Sequence, residues 1–145
     1  MEKIWLQKYP ECVPKNINPD AFASINDLFE KTAEKFRRKP ALYQMGLKMS
    51  YEKLDKKSKD FAAYLQQKLG LKKGDRFAIM MPNSVQYIVA MLGALRAGLV
   101  VVNVNPLYTV REVVHQIKDA NAKVILVLAN FAHVVEKALP QTDLE

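Results

Sequence analysis

An α/β fold, built on a mostly parallel sheet with flanking helices, is what this sequence predicts. Three observations carry that prediction. Two short apolar runs, at 76–81 and 99–104, each lead into an Asn and Pro pair, Pro82-Asn83 and Asn105-Pro106. Between them, residues 84–98 are apolar on nearly every side, as expected of a helix packed against a sheet and further helices. The alternation of buried strand, polar mouth, helix and buried strand then repeats with few residues between. This forces parallel pairing through right-handed crossovers.

Residues 1–23 are expected to be irregular, because Pro10, Pro14 and Pro19 prevent a long helix. Ile4, Trp5, Leu6 and Tyr9 are apolar enough to fold back onto the domain or onto a partner. Ser24 is an N-cap, and Asp27 complements the dipole of the helix it opens. Ile25, Leu28, Phe29, Ala33 and Phe36 share one face of that helix, which stops by Lys39-Pro40. Residues 41–44 and 47–50 form a hairpin around Gly46.

Ser50 caps the next helix, where Leu54, Ser58, Phe61, Ala62, Leu65 and Leu69 follow helical spacing. Gly70 ends it. Lys72-Lys73-Gly74-Asp75 turns the chain into the strand at 76–81. Asn83 or Ser84 caps the central helix, Gly93 allows it close packing, and Gly98 closes it. The next strand spans 99–104. Thr109 and Glu112 have the spacing of a capping box for a helix reaching about Asn121. Residues 123–129 are a third buried strand, and Asn130 caps a last helix over 131–139. Another strand is expected next, yet only five residues follow Pro140, so the 24–145 subdomain reads as truncated at its C-terminal end.

The chain has 145 residues, half of them hydrophobic, which suffices for one domain with its own core. One cysteine, Cys12, excludes an intrachain disulfide and a cysteine-based metal site. The 22 basic and 15 acidic residues leave a formal charge of +7. A solvated basic surface accounts for that charge, with attraction to an anionic membrane or to polyphosphates as the alternative. Nucleic acid is set aside, because the lysines at 53–59 interleave with carboxylates and most aromatic residues fall on core positions. No signal peptide and no membrane-length apolar segment is visible, so the expected location is the cytoplasm, with peripheral contact at the inner face of the membrane as an option.

Catalytic motifs are missing. There is no phosphate-binding Gly-rich loop, no dinucleotide fingerprint and no nucleophile elbow. His115 and His133 lie on separate helices and read as helix-surface residues. The polar residues beyond the strand ends are Asn83, Ser84, Asn103, Asn105, Tyr108, Thr109 and Arg111. In an open α/β sheet the ligand crevice forms there. Thr109 opens a helix, whose N-terminus favours an anionic group, and Arg111 could pair with a phosphate.

Several segments together resemble the N-terminal part of AMP-forming acyl-CoA synthetases, of the adenylate-forming superfamily. They are Leu71-Lys72-Lys73-Gly74-Asp75-Arg76, Met81-Pro82-Asn83-Ser84, Leu95-Arg96-Ala97-Gly98 and Val102-Asn103-Val104-Asn105-Pro106-Leu107-Tyr108-Thr109. Arg111-Glu112 and Asn130-Phe131-Ala132-His133 extend the resemblance toward bacterial long-chain fatty acid–CoA ligases, as do the opening Ile4-Trp5-Leu6 and Ile17-Asn18-Pro19-Asp20. It covers essentially the whole chain.

The resemblance implies a parent enzyme that activates a long-chain fatty acid with Mg-ATP to an acyl-adenylate and then passes the acyl group to coenzyme A. It implies that this piece belongs to the first subdomain of the large N-terminal domain. The family's phosphate loop, adenine motif, acidic magnesium ligand and catalytic lysine all lie downstream. The piece itself therefore holds no catalytic residue, metal site or cofactor and is expected to be inactive alone. A substrate and coenzyme A rim at Asn105, Leu107, Tyr108, Thr109 and Arg111 is the expected functional contribution. The alternative is a free-standing α/β module that binds an acyl or anionic ligand at its strand ends. An exposed sheet edge would also let two copies pair as a homodimer.

Overall fold

A computed structural model describes residues 3–144. The outermost parts of the two expected segments, residues 1–2 and 145, lie outside the described residues. Short 3-10 turns at Ile4–Lys8 and Pro19–Ala21 interrupt an otherwise irregular N-terminal stretch. Ile4, Trp5 and Tyr9 remain largely exposed rather than packed onto the domain. Pro10, Pro14 and Pro19 break the stretch into short turns, so its side chains are not gathered on one helical face.

Helix α1 (Ile25–Lys35) opens at Ser24, whose hydroxyl accepts the Asp27 N–H at 3.1 Å. It ends earlier than Lys39, and only Ala33 of its apolar set is buried. Strands β1 (Pro40–Gln44) and β2 (Leu47–Ser50) form the antiparallel hairpin, turning through Met45 and Gly46. Helix α2 (Tyr51–Gln67) is capped by Ser50 and buries Leu54, Ser58, Ala62 and Leu65. Leu69 falls beyond it and is exposed.

The sheet comprises β3 (Arg76–Met80), β4 (Val100–Asn103) and β5 (Val124–Val127) in the order β4-β3-β5, all parallel. Alternation along β3 sends its side chains into two cores. Phe77 and Ile79 pack with Leu65 of α2 and with Ala90 and Ala94 of α3 (Val85–Arg96). Ala78 and Met80 pack with Val113 and Ile117 of α4 (Val110–Ala120) and with Val135 and Ala138 of α5 (Ala132–Ala138). The result is three layers, with β3 buried at the centre.

The expected cap at Asn130 is corrected. Asn130 lies inside a 3-10 turn, Ala129–Phe131, and α5 starts after Phe131 with no side-chain cap. The tight Phe131 N–H to Leu128 carbonyl bond at 2.8 Å occupies the place a capped helix start would take.

Candidate functional site

The loops at the carboxyl ends of the three strands diverge. The β3 loop leads to α3 on one face of the sheet, whereas the β4 loop leads to α4 and the β5 loop to α5 on the other. Neighbouring strands whose loops part in this way leave a crevice between them. It measures about 610 Å³ and is lined by Pro82, Asn83, Asn103, Asn105, Leu107, Tyr108 and Phe131. A second depression, of about 820 Å³, runs along α4 and is lined by Tyr108, Thr109, Arg111, Glu112, His115, Gln116 and Asp119.

The five expected rim residues are thus divided between two adjoining hollows. Asn105, Leu107 and Tyr108 face the crevice, Thr109 and Arg111 face the depression, and Tyr108 borders both. Asn105 shapes the loop, because its Oδ1 accepts the Leu107 N–H at 3.0 Å and its carbonyl accepts the Tyr108 N–H at 3.1 Å. That turn leaves Leu107 83% exposed. Tyr108 is half-buried against the α4 and α5 core.

Thr109 and Glu112 form the capping box. The Thr109 N–H and hydroxyl donate to Glu112 Oε2 at 2.8 and 2.7 Å, and the Glu112 N–H returns to Thr109 Oγ1 at 3.5 Å. The hydroxyl bond first, then the backbone bond, holds the Glu112 carboxyl below its usual range. The chain's own Glu112 carboxylate therefore takes the Thr109 N–H and hydroxyl at this helix start. Arg111 alone offers positive charge here, and it makes no ion pair among the described residues.

The box carries a prediction. Thr109→Ala should lower stability by about 1 kcal/mol at neutral pH. A carboxyl lowered by folding stabilises fully above its unfolded value, and that contribution is lost as pH falls through the folded value. The gap between Thr109→Ala and wild type should accordingly shrink below the usual glutamate range. Chemical denaturation at neutral and acid pH measures both, and a gap independent of pH would refute the coupling.

Three contacts behind the rim carry no local sequence signal. The Tyr87 hydroxyl donates to Asn103 Oδ1 at 3.0 Å, and Gln116 Nε2 donates to the Asn103 carbonyl at 2.8 Å. Asn103 thereby joins α3, β4 and α4 at the mouth of the crevice. The third is Gln44, whose Oε1 accepts the Val85 N–H at 2.8 Å and ties the hairpin to the start of α3. His115 and His133 are exposed on α4 and α5. Among the described residues no group of three or more His, Cys, Asp or Glu could hold a metal ion.

Residues 29–145 match the family described as AMP-binding enzyme. The whole chain is 53% identical over 145 residues to the long-chain-fatty-acid–CoA ligase of Salmonella typhimurium, and covers 26% of that protein. Among solved structures it resembles a benzoate CoA ligase from Burkholderia xenovorans LB400, at 26% identity and a TM-score of 0.78 over 83% of this chain and 24% of that one. It also resembles a Mycobacterium tuberculosis fatty acyl CoA synthetase, at 30% identity and a TM-score of 0.73 over 77% of this chain and 22% of that one. The chain spans about a quarter of the length of the curated relatives it matches.

Proposed function

The chain belongs to the AMP-binding enzyme family, and from that premise we propose that it is the amino-terminal part of a long-chain fatty acid–CoA ligase. One observation carries the reading: 53% identity, sustained along the entire chain, to a protein of that activity. In the proposed parent reaction the fatty acid carboxylate displaces pyrophosphate from ATP, giving an acyl-adenylate. The thiol of coenzyme A then attacks the acyl carbon, forming the thioester, and AMP leaves with the electron pair. The mixed anhydride supplies the leaving group that a free carboxylate lacks.

We assign this chain a supporting role in that chemistry. Among the described residues no cluster of His, Cys, Asp or Glu fits a magnesium site. Residues 24–145 serve as part of the first subdomain, preceded by an irregular segment at 1–23. The rim at Asn105, Leu107, Tyr108, Thr109 and Arg111 is proposed to border the channel used by coenzyme A or the acyl chain. Two features support that placement: the positive charge of Arg111, unspent on any ion pair among the described residues, and the shared position of Tyr108. ATP, magnesium and coenzyme A act in the parent, in the cytoplasm. The sheet leaves both β4 and β5 as edges, which supports pairing with further chain or with a second copy. No helix among the described residues is long and apolar enough to cross a membrane.

The test uses the complete enzyme that carries this region. Its fatty-acid-dependent release of pyrophosphate from ATP and its coenzyme A-dependent release of AMP should be measurable. Arg111→Ala or Tyr108→Ala should raise the apparent KM for coenzyme A or fatty acid about tenfold, the scale of one lost charge-assisted contact. Unchanged KM and kcat in both variants would remove the rim assignment. Absence of either half-reaction in the wild type would remove the ligase reading.

A further inference from the structure

The two hollows of the rim are built by different elements, yet Asn103 is bonded to the walls of both. It ends β4 and lines the crevice. Its side-chain Oδ1 accepts the Tyr87 hydroxyl at 3.0 Å, which ties it to the first turn of α3. Its carbonyl accepts Gln116 Nε2 at 2.8 Å, which ties it to α4, and Gln116 lines the depression. Tyr87 is a firm partner. Its N–H is held by Ser84 Oγ at 3.1 Å, and its ring packs against the core that α3 shares with α2 and the sheet.

These bonds do little for stability. Asn103 is exposed, so water can replace either partner, and a hydrogen bond exchanged for one to water returns little net free energy. The Gln116 bond also carries a cost. With Nε2 committed to Asn103, Gln116 Oε1 is buried and has no hydrogen-bond partner among the described residues. A buried acceptor without a donor disfavours the folded state, and a native fold that keeps one calls for a reason other than stability. What the bonds supply is position. With the end of β4 pinned from both sides, the loop that carries Leu107 and Tyr108 leaves the strand in one direction, and α4 stands at one distance from it.

We infer that Tyr87, Asn103 and Gln116 are positioning residues for substrate binding, acting through Tyr108 and Arg111 rather than by contact with substrate. They hold the β4 loop and α4 at a fixed spacing, so that crevice and depression meet one ligand together. A misplacement of about 1 Å is enough to weaken a preorganised contact severely. The inference rests on the ligase reading, because it concerns the rim which that reading assigns to coenzyme A or the acyl chain.

Steady-state kinetics of the complete enzyme, with urea denaturation beside them, test it. Tyr87→Phe removes one hydroxyl. It should raise about fivefold the same apparent KM that Arg111→Ala raises, for coenzyme A or fatty acid. Its kcat should stay within about twofold of wild type, and its urea midpoint should not move. Gln116→Met should raise KM likewise while unfolding at no lower urea concentration than wild type, since it also removes the orphaned acceptor. Asn103→Ala should match Tyr87→Phe. Adding Tyr87→Phe to it should raise KM no further, because the hydroxyl acts through that side chain. If Arg111→Ala raises KM while Tyr87→Phe and Gln116→Met leave it unchanged, the positioning role is lost and the rim assignment stands. If Arg111→Ala leaves it unchanged too, both are lost. Independent, multiplying effects of Tyr87→Phe and Asn103→Ala would overturn the inference as well. So would a joint fall of kcat and urea midpoint with KM unmoved, which would reduce the contacts to support of the fold.

Discussion

Gly93→Val will destabilise the chain by about 3 kcal/mol, the upper range for overpacking a core. Gly93 sits where α3 crosses α2. A Cβ added there would lie 2.8 Å from Phe61 Cδ1, 3.1 Å from Phe61 Cβ and 3.0 Å from the backbone carbonyl oxygen of Ser58. The phenyl ring could rotate, but the Ser58 carbonyl belongs to a helix and cannot. Phe61 is also fixed by an edge-on contact with Phe77, 6.1 Å between ring centroids. Relief therefore requires the two helices to separate, which opens the core around Leu65 and Phe77. Alanine gives an intermediate case, since removing glycine from a helix returns about 1 kcal/mol. Urea denaturation should rank wild type above Gly93→Ala, and Gly93→Ala above Gly93→Val. A Gly93→Ala variant more stable than wild type would show that the helices move apart easily.

The need for glycine at position 93 is legible in the sequence, because a glycine inside an apolar helix lowers its propensity and is tolerated where another backbone comes close. The same holds for features written in neighbouring residues. Ser24, Ser50, Ser84 and Thr109 each accept the N–H of the residue three positions on, and each stands directly before a run with helical spacing. Parallel pairing is legible too, because strands joined by single helices have little choice. The order β4-β3-β5 is not, since either side of β3 satisfies the same hydrophobic pattern. Asn130 misled because its neighbours Leu128 and Phe131 closed a tighter turn than a capped helix needs.

For the candidate site, location was legible and chemistry only in part. Asn and Pro after a buried strand place the rim at the sheet's carboxyl edge. Nothing local reveals that Asn105 spends its side chain on its own backbone, whereas the spacing of Thr109 and Glu112 does announce the capping box at the α4 start. The bonds from Tyr87 and Gln116 to Asn103 span 16 and 13 positions. They depend on how α3 and α4 settle against the sheet. Arg111 and Tyr108 are left as the rim groups whose polar ends are least committed to the fold. For that reason they are the ones assigned to substrate.

Arg96 is the counterpart case, a polar residue committed wholly to the fold. Its side chain, on α3, is 8% exposed and is surrounded by partners from two other helices, α1 and α2. Nη1 bonds Glu30 of α1 and Nη2 bonds Asp55 of α2, both at 2.5 Å, while Nε donates to Ser58 Oγ at 3.1 Å. The guanidinium also stands 5.5 Å from the centre of the Phe29 ring. Ser58 is fully buried and its hydroxyl donates a hydrogen bond to the Asp55 carbonyl at 2.9 Å, so its remaining need is a donor, which Arg96 supplies. Arg96→Met keeps the aliphatic stem and removes the fork. Breaking a fully buried ion pair costs about 3–5 kcal/mol. The cost here should be smaller, about 2–3 kcal/mol, because Glu30 is 53% exposed and Asp55 keeps Lys59. Arg96→Lys should recover little, since an ammonium cannot reach two carboxylates and a hydroxyl in one plane. A double-mutant cycle of Arg96→Met with Asp55→Asn isolates the pair and should return a coupling of about 1–2 kcal/mol. Zero coupling, with Arg96→Lys as stable as wild type, would mean that α1, α2 and α3 are held by apolar packing alone.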